Sequence, residues 1–208
     1  MAITAGIIGT WIILKIWKTY GIFEAKLHAM KRHMVMGGIL VLSILLSYLL
    51  GLAEVRFTGY LNVYLFYVLL VSMAGIDYCY KKIPNKLLLV GMISRTILLI
   101  VEVVQIPNRT KGIMLTSFLG LIFVFLLLLI LSCVSRHAIG FGDVKLFAWI
   151  GYCMGGTDTY RILFYGMLAA AVAGLYLMIV KKESSKRTLP LAPFFAMGAY
   201  VVMVTKLW

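Results

Sequence analysis

The chain has 208 residues, 63% of them hydrophobic and only 13% charged, where soluble globular domains carry roughly 25% charged residues. A soluble domain of this size has too little interior to hide so much apolar surface, so the composition excludes one and makes the bilayer the solvent (mean hydropathy +1.03). The formal net charge of +13 does not signal nucleic acid, because the Lys and Arg residues fall in short loops between apolar runs rather than along an aromatic-rich face.

Eight apolar segments follow in chain order, over residues 3–19, 34–53, 59–78, 86–106, 113–134, 144–156, 160–180 and 189–207. Most approach the roughly 20 residues a helix needs to cross the hydrocarbon core. A helix satisfies its own backbone hydrogen bonds, so the expected fold is all-α, a polytopic membrane helical bundle. The first segment has no basic stretch before it and no small-residue cleavage site after it, so it reads as a retained span and not a signal peptide. The stretch 20–33 is basic and mildly amphipathic, suited to an anionic inner-leaflet surface. Segment 144–156 is short and reads as steeply placed or partly interfacial. Cys79, Cys133 and Cys153 form no CxxC pair, which leaves a zinc or redox site without support and suggests small buried thiols.

Charge orients the bundle. With the N-terminus outside and all eight segments alternating, fourteen Lys and Arg residues fall on cytoplasmic loops and span ends. Five fall on the other side: Arg56, Arg109, Lys111, Arg161 and Lys206. That bias places both ends of the chain outside a plasma membrane.

Of the seven acidic residues, four lie in loops and three at or within spans: Asp77, Glu102 and Asp143. An ionisable group in a span costs several kcal/mol unless paired or hydrated. Glu102 has a partner two turns back on the same helix face, Arg95. Asp77 closes the third segment and Asp143 opens the sixth, at the same membrane face. Two carboxylates brought close share a proton, one acting as base and one as acid, which is the arrangement of aspartic proteases. The plainer reading is that each caps a helix end.

Local context favours the chemistry. Gly140 and Gly142 flank Phe141 just before Asp143, and glycine permits unusual backbone angles and close approach of another chain. Pro84 follows Asp77 within Lys82-Ile83-Pro84-Asn85 and suits the first turn of the next helix. Pro190 and Pro193, in Leu189-Pro190-Leu191-Ala192-Pro193-Phe194-Phe195, leave backbone groups unpaired near the same face.

Together these stretches resemble the type IV prepilin peptidase family of membrane GxGD aspartic proteases. Asp77 is followed seven residues on by Pro84, with Ile83 and Asn85 in register. Gly140, Gly142, Asp143 and Lys145 match GxGD with a Lys two positions on. Pro190, Pro193 and Phe194 match P-x-x-P-F before the final helix. The resemblance covers roughly residues 59–208. It implies a peptidase that removes the short basic leader from type IV pilin-like precursors at the cytoplasmic face. It implies Asp77 and Asp143 as catalytic residues, with Gly140, Gly142, Lys145, Pro84 and Asn85 in support and Pro190, Ala192, Pro193 and Phe194 against substrate. No metal or cofactor is expected. Larger family members carry a cysteine-rich N-methylating domain between the first two spans. Here that interval is the basic stretch 20–33, without cysteine, so cleavage without methylation is expected. Residues 1–58 then form two spans and 59–208 the catalytic membrane domain. Lys145 suits either the local acids or lipid headgroups, and Glu24 and Glu183 are candidates to meet the leader. The competing readings are a proton-coupled transporter, using Asp77, Glu102, Asp143 and Arg95 as a relay, and a non-enzymatic subunit of a pilus or secretion assembly.

Overall fold

A computed structural model describes residues 2–22, 29–52, 57–105, 107–134, 140–179 and 189–206. Among the described residues there are eight helices and no strand: α1 (Ala2–Thr19), α2 (Ala29–Leu52), α3 (Phe57–Tyr80), α4 (Asn85–Gln105), α5 (Pro107–Val134), α6 (Phe141–Met154), α7 (Gly156–Ile179) and α8 (Ala192–Lys206). Each corresponds to one apolar segment of the sequence. Residues 23–28 and 181–188 lie outside the description, and with them most of the proposed inner-leaflet stretch, Glu24 and Glu183.

The helix ends follow local chemistry. α3 stops where Lys81 takes a left-handed conformation (φ 51), its N–H still donating to the Asp77 carbonyl at 2.7 Å. That position is usually glycine, and a lysine there costs roughly 1–2 kcal/mol. Pro84 sits one residue earlier than the first-turn position expected of it: its carbonyl accepts the Leu87 and Leu88 N–H groups, and α4 opens at Asn85. Pro107 is the first residue of α5, where a missing N–H is harmless. Gly155, at φ 73, ends α6, and α7 starts on the next residue.

α3 is the central helix, touching α1, α2, α4, α6 and α8. The Trp17 indole N–H of α1 donates to the Ser72 carbonyl of α3 at 3.1 Å, and the ring lies over Gly75. Where two helices meet most closely, glycines replace side chains. A Cβ on Gly120 of α5 would stand 2.5 Å from the Gly151 carbonyl oxygen of α6, and one on Gly198 of α8 would stand 2.8 Å from the Gly166 nitrogen of α7. Small residues at such contacts let van der Waals packing do the work that the hydrophobic effect cannot do in lipid.

Among the described residues, four helices are long and apolar enough to cross a membrane: Phe57–Tyr80, Asn85–Gln105, Lys111–Ile130 and Gly156–Ile179. They differ in setting, since 56% of the most apolar stretch of α3 is buried in the bundle but only 11% of that of α7. The protein is a multi-pass membrane protein. α6 has 14 residues and, at 1.5 Å per residue, rises about 21 Å, short of a hydrocarbon core of roughly 30 Å. It is apolar on all sides because it is enclosed: Val144 and every residue from Leu146 to Cys153 are buried.

Within the bundle, Arg95 of α4 pairs with Glu102 at 3.3 Å and donates to Ser117 Oγ of α5 at 3.2 Å, and all three are buried. Cys79 and Cys153 are buried, but Cys133 is exposed on α5. The sequence suggested three buried thiols; an apolar neighbourhood looks the same whether the neighbours are protein or lipid.

Candidate active site

Asp77 lies in the last turn of α3 and is 5% exposed. One carboxyl oxygen, Oδ2, accepts the Ala192 N–H at 3.1 Å, and the Leu191 N–H is directed at the same group. Both donors belong to the start of α8. The first N–H groups of a helix have no intrahelical acceptor, and Pro190 and Pro193 hold the chain so that this free end meets the acid. The unpaired backbone groups expected near the prolines therefore end on Asp77. Lys81, four residues on from Asp77, also sets its charge on this carboxyl.

Asp143 is half-buried in the first turn of α6, ahead of the apolar segment. Gly140 is the residue before the helix, its carbonyl accepting the Asp143 and Val144 N–H groups at 3.0 and 3.3 Å. In return, the Gly140 N–H is directed at the Asp143 carboxyl. This is half of a capping box, with the acid at the third helical position reaching back over its own helix start. Gly140 has an ordinary extended backbone (φ −65, ψ 139), so unusual angles are not its role. Its role is space: a Cβ there would stand 3.3 Å from Asp143 Oδ2. A Cβ on Gly142 would make ordinary contact with Ile83 at 3.7 Å, so the α3–α4 turn rests on the first turn of α6 at that point.

These contacts bring Asp77 and Asp143 into one electrostatic neighbourhood. Burial pushes the Asp143 carboxyl up from the usual carboxylate range to about 6, and the charge of Asp77 adds to the rise. The Gly140 N–H opposes it. Two acids coupled in this way titrate as a pair.

The other expected residues fall into two groups. Pro84, Asn85, Pro190, Ala192, Pro193 and Phe194 all lie on the turn or helix start that abuts an aspartate. Lys145 reaches toward the α3–α4 turn, with Nζ 3.4 Å from Asn85 Oδ1 and 4.9 Å from the centre of the Phe141 ring. The cation that acts on Asp77 is Lys81, one of the basic residues that the sequence places on the cytoplasmic side. Its spacing from Asp77, one helical turn, was the available signal. Ile83 was noted for register alone, and its packing on Gly142 gives it a structural task.

A membrane bundle presenting two coupled carboxyls, one fed by a free helix start and one by its own cap, has relatives. The family model described as the type IV leader peptidase family matches residues 64–178, more than half of the chain. The chain belongs to that family. It is 26% identical over 154 residues to a prepilin leader peptidase/N-methyltransferase of Bacillus subtilis (strain 168), covering 73% of this chain and 59% of the relative. It is 24% identical over 136 residues to a protein of the same description from Pseudomonas putida, covering 65% of this chain and 46% of the relative. The corresponding protein of Legionella pneumophila is 26% identical over 141 residues, with the same coverage of each chain, 65% and 46%. The chain thus spans about half the length of the curated relatives it matches. No solved structure matches it significantly.

Proposed function

We propose that this chain is a membrane aspartic endopeptidase that removes the short basic leader from type IV pilin-like precursors, with Asp77 and Asp143 activating water. The observation that carries the reading is the coupling of the two carboxyls at one end of a membrane bundle. Asp77 is buried on the free N–H groups of α8, and Asp143 responds to its charge.

In this mechanism the pair holds one proton. The deprotonated carboxyl takes a proton from water as its oxygen attacks the scissile carbonyl, and the protonated partner donates to that carbonyl oxygen. The tetrahedral diol then collapses: the carboxylic acid formed in the first step protonates the departing amine nitrogen as the C–N bond breaks, and the other carboxylate takes back a diol hydroxyl proton as the carbonyl re-forms, so the new N-terminus is freed and the pair again holds one proton. Base and acid belong to the pair as a unit. No metal or cofactor enters the reaction.

The positive-inside distribution of Lys and Arg supports a cytoplasmic dyad and external termini. The α1–α2 pair packs on α3, as expected if residues 1–58 brace a catalytic unit over 59–208. The interval between α1 and α2 is only residues 20–28, too short for a cysteine-rich methylating domain, so we assign cleavage without N-methylation.

Co-expression with a pilin-like precursor tests this. Leader removal is followed on a gel for the unsubstituted chain and for Asp77→Asn and Asp143→Asn. Loss of processing in both variants is expected, and normal processing by either would overturn the dyad.

A further inference from the structure

Two apolar grooves open on the sides of the bundle. One, of about 440 Å³, lies between α4, α5 and α6 and has Lys145 and Asn85 at its rim. The other, of about 710 Å³, lies between α7 and α8 and has no charged residue in its lining. Its lining includes Ala169, Ala173 and Gly198, with Tyr165, Tyr176 and Phe194 beside them.

From this, and resting on the peptidase reading above, we propose that the α7–α8 groove seats the hydrophobic helix of the precursor during cleavage. Three observations converge on that occupant. The first is continuity with the dyad: Phe194 lines the groove and is the third residue of α8, whose first residue, Ala192, donates to Asp77. The groove therefore begins within one helical turn of the N–H that meets Asp77. The second is direction. α7 and α8 run antiparallel, with Gly166 against Gly198 and Gly174 against Leu189. From Phe194 to Val201 the groove descends about 10 Å away from the dyad. A precursor has its scissile bond just before its apolar helix, so a bond held at the dyad sends that helix along this path. The third is chemistry. The alanines and the glycine leave room for another helix backbone to approach, as in close helix pairs in lipid. The groove on the other flank carries Lys145 at its rim, beside the start of α4 with its Lys86, and these repel a basic leader. The helix α7 itself has little protein cover (11% of its apolar stretch) and is the face left for a transient partner.

The test uses the full chain in lipid vesicles with a designed probe: a lysine-rich leader, a Gly-Phe junction and an apolar helix of roughly 20 residues. A photoreactive benzoylphenylalanine replaces Met197 or Val172 beside the α7–α8 groove, or Leu89 beside the other. These side chains are exposed (61%, 60% and 61%), so the replacement does not disturb packing. Crosslinks to the probe are expected from positions 197 and 172 and not from 89. Crosslinks from 89 alone, or none from 197 and 172 while the probe is cut, would leave that groove to lipid and overturn the inference without touching the peptidase reading. Failure of the unsubstituted chain to cut the probe overturns both. A second variant, Ala173→Trp, fills the groove from its floor. It should raise KM for the helix-bearing probe about tenfold with kcat retained. Cutting of a truncated probe with only four apolar residues should be unchanged, and an equal loss on both probes would also overturn the inference.

Discussion

Two pairs of ionisable groups in the bundle are built on opposite principles. Arg95 and Glu102 are opposite charges on one helix face, joined at 3.3 Å and extended to Ser117 on the neighbouring helix. Asp77 and Asp143 are like charges from helices distant in sequence. Their main supports are backbone N–H groups at helix starts, with Lys81 on the Asp77 side. The first pair neutralises itself and ties α4 to α5 through Ser117, although Arg95 Nε is left without a hydrogen-bond partner. The second carries a like-charge conflict, which in the proposed mechanism a shared proton relieves. A buried charge with its counter-ion beside it is accounted for by structure; two acids whose charges act on each other call for a chemical reason.

The largest effect expected separates the two sets directly. Asp77→Asn or Asp143→Asn should lower leader removal by at least about 10³-fold, the scale of a lost acid–base group. Thermal unfolding in detergent should show both variants at least as stable as the parent, because a like-charge conflict has been removed. A destabilised Asp143→Asn would place the dyad with the structural pair. The converse change, Arg95→Met, leaves Glu102 buried without its cation and should cost about 3 kcal/mol of stability. Arg95→Met with Glu102→Leu should recover most of that loss, and the cleavage rate per folded molecule should stay near normal throughout.

The pH dependence follows from Asp143. Its carboxyl is pushed up to about 6, so its proton is kept below that pH and lost above it. If the singly protonated pair is the active form, the initial cleavage rate should fall about tenfold per unit as pH rises beyond it. A flat profile between pH 6 and 8 would show that this proton is not used. A further step down in size, Gly140→Ala should reduce cleavage about tenfold with folding intact, because its Cβ displaces a carboxyl 3.3 Å away. The smallest effect is expected for Lys145→Met. Its contact with Asn85 is long and exposed, worth about 0.5 kcal/mol or less, and should change the unfolding midpoint little and the rate about twofold.

Much of this was legible in the chain. Runs of apolar residues locate all eight helices, since a helix in lipid needs little else. The spacing of Asp77 to Pro84 and of Gly140 to Asp143 marks helix ends at one face, and the seven-residue step from Arg95 to Glu102 predicts their pairing. What the sequence hid has one physical cause: in a bilayer, buried and lipid-facing residues are equally apolar. The enclosure of α6, the exposure of Cys133 and the closeness of Gly120 to Gly151 depend on which apolar face meets which. The support of Asp77 by Ala192 was hidden for another reason. Its donor is a backbone group 115 residues away, so no side chain announces it.

The hydrogen bond from Trp17 to Ser72 carries a lesson about the order of assembly. Its two partners are 55 residues apart, so the ribosome finishes the indole several seconds before the carbonyl that receives it, at about 5–20 residues per second. The contact between α1 and α3 can therefore close only once α3 has been made. Once closed, it lays the Trp17 ring over Gly75, two residues before Asp77, and braces the end of α3 that carries the candidate acid.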